Sequence, residues 1–379
     1  MKKTCCLLWT LCVSSAAIFA AQAAPNAVEI YKKAFELYPS KEIVQLKQKE
    51  RELTEDLATH KIDPNTYRKT MSDLQNDQNR ILQKTINNYA EGSAPFDASI
   101  KNFLSKQQPV LNLIWQACAI KTCDWSTSLA QVNDPTREID EIFTRCDDMN
   151  NLFLLALADA QQEADTSHYN KAIHKTFSAL AIIHHTGNSS ILEHLICLRM
   201  EKIYLEFLQR LLGQMPLDSS LLNIIETRLK NEADIFPSLH ESLLGEKLLF
   251  TRNLSEKTIK DLFPMQFRMD PNLIPHITET FIQDSIEYNN HYMEQICSYL
   301  DLPYRDASKN IQQMELKTAQ EARIVFDPNT QKIIPENILK TKALLTALSS
   351  PIYSAQYRIH TKQRNHLNAT LAALKIYQY

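Results

Sequence analysis

Glycine occurs only four times in this chain of 379 residues, at Gly92, Gly187, Gly213 and Gly245. Average use in proteins is about 7% of residues. Phosphate-binding loops, dinucleotide-binding turns and nucleophile elbows all need glycine at fixed offsets, and hairpin-rich β-folds need glycine in their turns. The sequence therefore excludes these sites and favours helices joined by Pro, Asn, Asp and Ser turns.

Apolar residues recur with a helical period through most of the chain. The segment 26–39, NAVEIYKKAFELYP, predicts a first helix, and Asp134-Pro135 opens a long helix whose apolar stripe continues to about Ala164. We therefore predict an all-α fold of helical hairpins packed in a repeat-like array of the tetratricopeptide (TPR) or solenoid kind. A strict repeat of about 34 residues is not present in the sequence.

The segment 167–212 is the clearest pair of helices in the sequence. Gly187 lies where the first helix would take a left-handed C-terminal cap, and residues 188–190 can cap the second helix. Gly213 is expected to end that second helix. We expect this αα-hairpin to pack on the apolar stripe of the long helix, at the centre of the fold.

The first residues have the layout of a secretory signal peptide. Two lysines precede an apolar stretch, residues 5–20, and the Ala-Gln-Ala motif at 21–23 predicts removal of residues 1–23. The alternative is an uncleaved anchor, but the stretch is short for a spanning helix, which needs about 20 residues. We expect an exported protein, periplasmic or extracellular, with no transmembrane span in the mature chain.

Two breaks in composition divide the remaining chain. Residues 24–91 are predicted to hold the first helix and a charged, projecting helical hairpin, interpreted as a solvated spacer with a binding arm as the alternative. A central α-helical domain is predicted over 92–262. A C-terminal α-helical region is predicted over 263–379, after a proline-rich stretch that starts it.

The balance of charge gives no reason to expect nucleic acid as a partner. The chain has a formal net charge of −3 at pH 7. Proteins that bind nucleic acid carry clustered Lys and Arg that neutralise phosphates. No such basic cluster, and none interleaved with aromatic residues, is found here.

Four residues of the predicted hairpin are candidates for a metal site, because histidine and carboxylate side chains bind zinc. His184 and His185 lie in the last turn of its first helix, and Glu193 and His194 follow on the second. The H-E-x-x-H spacing of zinc enzymes is missing. Histidines at a helix C-terminus also offset the helix dipole, so we expect a structural role, with no catalytic residue, metal or cofactor assigned.

Five of the eight cysteines follow the predicted signal peptide, so at least one is left without an intramolecular partner. Export would permit disulfides. Cys118 and Cys123 flank a predicted loop and are the candidate disulfide. Cys146 and Cys197 fall on apolar helical faces, where we expect free thiols.

Three segments carry a family resemblance: residues 26–39; the Cys-Asp-Trp block at 123–125 with the hairpin at 168–212; and the last helix, 364–379. They resemble a poorly characterised family of exported, helical (TPR-like) proteins of planctomycete-type bacteria. The family has no known activity, so the resemblance implies no catalytic residues. The charged hairpin looks like an insertion, and family members continue with a Gly-x-Tyr-Pro turn, which implies a truncated C-terminus at Tyr379.

Together these features favour a non-enzymatic helical scaffold or protein-binding protein of the cell envelope, with an unidentified protein partner. One alternative is a hydrolase whose site is assembled from distant His and Glu residues. The other is a structural protein of the envelope. The sequence does not indicate the oligomeric state.

Overall fold

The computed structural model describes residues 26–38, 49, 52–54, 56–57, 61–75, 78–125, 135–187, 189–216, 219–233, 238–253, 278–325, 334–349 and 352–378. The elements of these residues are helical, and an isolated bridge between Asn26 and Thr122 is the β-type pairing among them. This confirms the all-α prediction. The predicted signal peptide, residues 1–23, lies outside the described residues. In the described part of the chain, each helix is too short or too polar to cross a membrane.

The described helices follow one another along the chain as α1 (Val28–Leu37), α2 (Pro64–Gln75), α3 (Gln78–Ala90), α4 (Ala98–Lys106), α5 (Gln108–Cys118), α6 (Pro135–Asp165), α7 (Tyr169–Thr186), α8 (Ile191–Gln214), α9 (Ser219–Ala233), α10 (Leu239–Asn253), α11 (Glu279–Leu300), α12 (Tyr304–Arg323), a 3-10 helix (Pro335–Lys340), α13 (Leu344–Ser349) and α14 (Tyr353–Gln378). Their positions agree closely with the apolar periodicity of the sequence.

Side-chain caps explain where several helices begin. Asp97 accepts a hydrogen bond of 2.9 Å from the backbone N–H of Ile100 at the start of α4. Ser190 accepts one of 3.2 Å from Glu193 at the start of α8. Each cap satisfies a backbone donor that has no partner inside the helix, which typically stabilises a helix by about 1 kcal/mol.

The centre of the molecule is the long helix α6. Its residues from Leu152 to Leu157 are all 0–1% exposed. A helix that is apolar around its whole circumference must be covered on every side. Helices α7 and α8 form the expected hairpin and both pack on α6, while α3 covers another side. This confirms the packed central hairpin predicted from residues 167–212.

A second apolar cluster lies beside this centre. It is formed by α10, α11, α12 and the starts of α8 and α14, with Leu243, Tyr292 and Ile296 among its buried residues. Helix α14 connects the two clusters, because Tyr353 and Tyr357 belong to the second whereas Leu367 and Leu374 belong to the first. The face of α14 that crosses α8 therefore lies where the clusters meet.

The charged hairpin projects less than the sequence predicts. Helix α3 packs on α6, and Ile86, Tyr89 and Ala90 are at most 2% exposed. The phenol of Tyr89 donates a hydrogen bond of 2.6 Å to Asp165 on α6. Most of the first arm, residues 41–60, lies outside the described residues. The second arm contributes to the core because its apolar residues lie on one face of α3, and that face packs on α6.

Two glycines differ from their predicted roles. Gly187 follows α7 with φ 115° and ψ 170°, which is an extended backbone that only glycine adopts readily, not a left-handed helical cap. A Cβ atom there would also lie 2.8 Å from a carboxylate oxygen of Glu193. Gly213 does not end α8, which continues to Gln214.

Candidate functional site

The four predicted metal candidates do not come together. Glu193 and His194 are neighbours on α8, so their side chains point about 100° apart. Glu193 meets Arg145 on α6, whereas His194 meets His360 on α14. In the part of the chain that the structure describes, no group of three or more His, Cys, Asp or Glu side chains could hold a metal ion. His185, Glu193 and His194 instead divide between two polar clusters.

His185 belongs to the first cluster, beneath the loop that precedes Trp125. The ring nitrogen Nδ1 of His185 lies 2.9 Å from the phenol oxygen of Tyr31. The backbone carbonyl of His185 accepts a hydrogen bond of 2.6 Å from the indole N–H of Trp125. Both its ring and its backbone are therefore used to hold the loop and α1 against α7, as a structural residue does.

Glu193 and Arg145 form a buried ion pair within the same region, with side chains 0% and 4% exposed. The other carboxylate oxygen of Glu193 accepts hydrogen bonds of 2.6 Å from the backbone N–H and from the hydroxyl of Ser189. The guanidinium of Arg145 lies over the ring of Trp125, 5.0 Å from its centroid. These contacts connect α6, the Trp125 loop and the α7–α8 turn, and we interpret them as structural.

The structure departs from the candidate disulfide, since Cys118 and Cys123 are both free thiols in it. Their sulfur atoms meet different groups: Cys118 Sγ lies 4.0 Å from the phenol of Tyr31, and Cys123 Sγ lies 3.6 Å from the carbonyl of His185. Burial raises the pKa of each thiol to about 12. The disulfide stays a prediction, which thiol labelling can test.

Burial argues against the helix-dipole role that the sequence predicts for His184 and His185 at neutral pH. Burial lowers the pKa of each imidazole from 6.5 to about 4, and the neighbouring His185 lowers that of His184 further. Both rings are therefore neutral at pH 7. A neutral imidazole brings no positive charge to the end of α7, because the cost of burying the charged form exceeds the small gain from the dipole.

The second cluster begins with a pair of imidazoles. His194 Nε2 and His360 Nδ1 are 3.2 Å apart, and the ring centroids are 5.2 Å apart. Burial lowers the pKa of His194 to about 3 and that of His360 to about 4, with Arg364 lowering both further. Both rings are neutral, so one donates its N–H to the other.

Glu201 and Arg364 lie one to two helical turns further along the same crossing of α8 and α14. Their closest atoms, Glu201 Oε1 and Arg364 Nη1, are 3.8 Å apart, and Glu201 is 0% exposed. Neither carboxylate oxygen has a hydrogen-bond partner among the described residues. Burial raises the pKa of Glu201 to about 7, although the charge of Arg364 acts in the opposite direction.

This cluster opens to solvent through a cleft of about 320 Å³, which we name the histidine–arginine cleft. Three helices contribute to its walls: the start of α10, the end of α11 and the middle of α14. Its lining residues are Ser238, Leu239, His240, Leu300, Asp301, Tyr357, His360 and Arg364. His194 and Glu201 lie behind His360 and Arg364. The cleft volume is at the low end of the roughly 300–1,000 Å³ of small-molecule sites.

A second concave surface, of about 550 Å³, is a weaker candidate for a ligand-binding site. It is lined by residues of α11 alone: Gln283, Asp284, Ile286, Glu287, Asn290, His291 and Glu294. Two of its carboxylates already pair with lysines, Asp284 with Lys342 and Glu294 with Lys247. It is the exposed face of one helix, whereas the histidine–arginine cleft joins several elements.

Sequence reasoning named only His194 of the second cluster. The spacing of His360 and Arg364 by four residues does place them on one helical face. However, nothing in the sequence pairs that face with α8, because the partners are more than 160 residues apart. Glu201 looks like any polar residue of a helix until its burial is known.

Comparison of the chain with family models, with curated proteins and with solved structures found no match.

Proposed function

We propose that this protein is an exported, non-enzymatic helical binding protein, and that the histidine–arginine cleft is its ligand-binding site. The observation that carries this proposal is the buried polar cluster behind an open cleft. A cleft of this size accepts a small molecule, or one side chain or chain end of a protein partner. The helices around it supply rigid walls, as preorganised binding requires.

The chemistry of the cluster supports a function rather than a role in stability. Glu201 is 0% exposed and neither of its oxygens is hydrogen-bonded within the described residues. Burying a carboxylate in this way is costly, and an apolar residue of similar size would stabilise the contact between α8 and α14 better. Titratable groups with strongly shifted pKa values cluster at functional sites.

The sequence supports export, the TPR-like array, the envelope location and the protein partner. The Ala-Gln-Ala motif supports export, and the successive helical hairpins support a TPR-like array that presents a binding surface. An envelope location and a protein partner follow from the same features and from the resemblance to exported helical proteins. N-terminal sequencing of the mature protein tests export: we expect the chain to begin at Ala24, and recovery of Met1 contradicts it.

A binding screen tests the cleft itself. We expect at least one compound from a panel of amino acids, dipeptides, sugars and small acids to raise the thermal unfolding midpoint. His240, which is exposed on the cleft wall, is replaced by Trp to fill the space. The control is Leu248→Trp, on the same helix but 71% exposed and outside the cleft. Binding that the His240 variant keeps in full, or a panel without any binder, contradicts the proposal.

Glu201 gives one observation in favour of a hydrolase. A carboxyl group with a pKa near 7, as at Glu201, has the acidity of a general base at neutral pH. However, Glu201 does not line the cleft, so it has no direct path to a bound substrate. The two hypotheses differ in turnover: an enzyme would hydrolyse a reactive probe such as p-nitrophenyl acetate and lose that activity in His360→Gln. A binding protein shows no difference between wild type and variant.

A further inference from the structure

We infer that the histidine–arginine cleft binds an oxyanion, a carboxylate or phosphate group, on Arg364 and His360. This inference rests on the proposed binding function and specifies the chemistry of the ligand. It is carried by three features of the cleft: a guanidinium in its wall, an imidazole held by a second imidazole, and a buried carboxylate that faces the guanidinium at long range.

Arg364 supplies the charge. A guanidinium presents its N–H donors in a planar fork that matches two oxygens of a carboxylate or phosphate. Its contact with Glu201, at 3.8 Å between the closest atoms, is too long to be a hydrogen bond. Arg364 lines the cleft, so a ligand oxyanion there can accept short, paired hydrogen bonds from its guanidinium.

His360 supplies a neutral donor beside it. His194 Nδ1 is buried and has no hydrogen-bond partner in the described residues. An orphaned N–H is costlier than an orphaned lone pair, so the favoured arrangement leaves Nδ1 of His194 without a proton. His194 then donates through Nε2 to Nδ1 of His360, at 3.2 Å. The proton of His360 is therefore on Nε2, where it can be donated to a ligand oxygen.

The first residues of α10 add to the attraction. Ser238, Leu239 and His240 line the cleft at the start of this helix. Backbone N–H groups at a helix N-terminus carry partial positive charge and favour anions. This effect supplements Arg364 and His360 and does not define the site by itself.

Two carboxylates, Asp301 and Glu201, oppose anion binding by charge repulsion. Asp301 lines the cleft but is exposed, so solvent screens its charge. Glu201 is buried behind Arg364. Among the described residues, Cys197 on α8 also interacts electrostatically with Glu201, and its thiol stays protonated because burial raises its pKa. An oxyanion that takes over Arg364 would leave Glu201 as an uncompensated buried charge, so Glu201 is expected to take up a proton.

Binding of an oxyanion is therefore coupled to protonation. The pKa of Glu201 is about 7 while Arg364 still faces it. When the ligand draws on the charge of Arg364, that pKa rises, because the attraction that lowered it is weakened. At pH 8 the complex takes up a proton that the free protein lacks. Affinity therefore falls as pH rises from about 7, with a slope that approaches tenfold for each pH unit.

Isothermal titration calorimetry of the full-length mature protein tests this chemistry. The probes are inorganic phosphate and acetate, with ethylammonium and ethylene glycol as cationic and neutral counterparts. We expect one or both anions to bind and the counterparts not to bind. We expect Arg364→Gln to weaken anion binding about tenfold or more, as loss of a charged hydrogen bond does. The matched control is Arg358→Gln, an exposed arginine on the same helix and outside the cleft.

A second variant keeps the inference testable if Arg364→Gln does not fold. Glu201→Gln removes the buried charge, so we expect it to bind the anion at least as tightly and to lose the proton uptake. Proton uptake is read from binding heats at pH 8 in two buffers of different ionisation enthalpy. Undiminished uptake in Glu201→Gln contradicts the coupling.

The outcomes separate the inference from the proposed function. Binding of phosphate alone identifies a phosphate ligand, binding of acetate alone identifies a carboxylate, and binding of both supports a site for either oxyanion. If ethylammonium or ethylene glycol binds in the cleft and the anions do not, the oxyanion inference is wrong and the binding function stands. If no probe binds and the Trp substitution at His240 changes nothing in the wider panel, the proposed function fails.

Discussion

The phenol of Tyr31 and the imidazole of His185 share a buried hydrogen bond, with 2.9 Å between Tyr31 Oη and His185 Nδ1. Tyr31 lies on the first helix and His185 at the end of α7, 154 residues further along the chain. The ring of Tyr31 is 0% exposed. This contact joins the N-terminal helix to the central hairpin, so the hairpin is stabilised by a segment distant in sequence.

Removal of the phenol hydroxyl should show how much this contact stabilises the folded protein. We expect Tyr31→Phe to lower the free energy of unfolding by about 1–3 kcal/mol, because it leaves a buried ring nitrogen without its partner. Urea denaturation measures the change. Tyr304→Phe is the control, because Tyr304 is 42% exposed and its substitution should change stability by less than about 0.5 kcal/mol. Equal effects of the two substitutions would contradict the structural role of Tyr31.

Two glycines should respond in opposite directions to substitution by alanine. A Cβ atom at Gly245 would lie 2.2 Å from the backbone oxygen of Ser189, which is not free to move like the end of a side chain. We expect Gly245→Ala to destabilise the protein by about 1–3 kcal/mol. A Cβ atom added at Gly213, in the last turn of α8, would meet nothing within 4 Å beyond its own helix backbone and chain neighbours. We expect Gly213→Ala to stabilise it by up to about 1 kcal/mol, and thermal unfolding of both variants checks the contrast.

The buried ion pair of Arg145 and Glu193 should show strong coupling. We expect Glu193→Gln to cost about 3–5 kcal/mol, because it leaves the charge of Arg145 buried without its partner. The double variant with Arg145→Met removes that charge and should recover a large part of the loss. A double-mutant cycle by chemical denaturation measures this. Additive effects of the two substitutions would show that the pair is not coupled.

Stability should fall as the solution is acidified from about pH 6.5 to 5. Burial lowers the pKa of four imidazoles to about 3 or 4, at His184, His185, His194 and His360. In the unfolded chain their pKa is about 6.5, so the unfolded state binds protons that the folded state excludes, and unfolding is favoured at low pH.

Glu201 acts in the opposite direction. Its folded pKa of about 7 lies above the unfolded value, so its contribution to stability is present at low pH and is lost as pH rises towards 7. The net effect of the five groups is about three protons, or about 4 kcal/mol per pH unit at most. His194→Gln should reduce the slope by about a third. A slope that stays unchanged in this variant would contradict the low pKa of His194.

Thiol labelling tests the cysteine chemistry. Because burial raises the pKa of Cys118 and Cys123 to about 12, we expect both to react slowly with iodoacetamide at pH 8 in the folded protein. After denaturation without reductant, five mature cysteines should be labelled if the free thiols of the structure persist after export. Protection of both Cys118 and Cys123 in the denatured chain would instead establish the disulfide that the sequence predicts.

The sequence by itself determined the helices and the central hairpin. Pro135 begins α6, Ser190 caps α8, and the apolar period of residues 167–212 gives each helix a face to bury. These signals act between residues within a few turns, so they can be read without knowledge of the rest of the chain. The scarcity of glycine excluded strand-rich folds for the same local reason.

Only the tertiary structure decided which polar residues meet. Glu193 and His194 are adjacent in sequence, yet one joins Arg145 and the other His360, because the helical turn between them directs each to a different neighbour. The cleft depends on where α14 crosses α8, which is set by the apolar contacts of Leu367 and Tyr357 with two separate clusters. Long-range packing of this kind depends on many weak, non-directional contacts, so no local sequence motif predicts it.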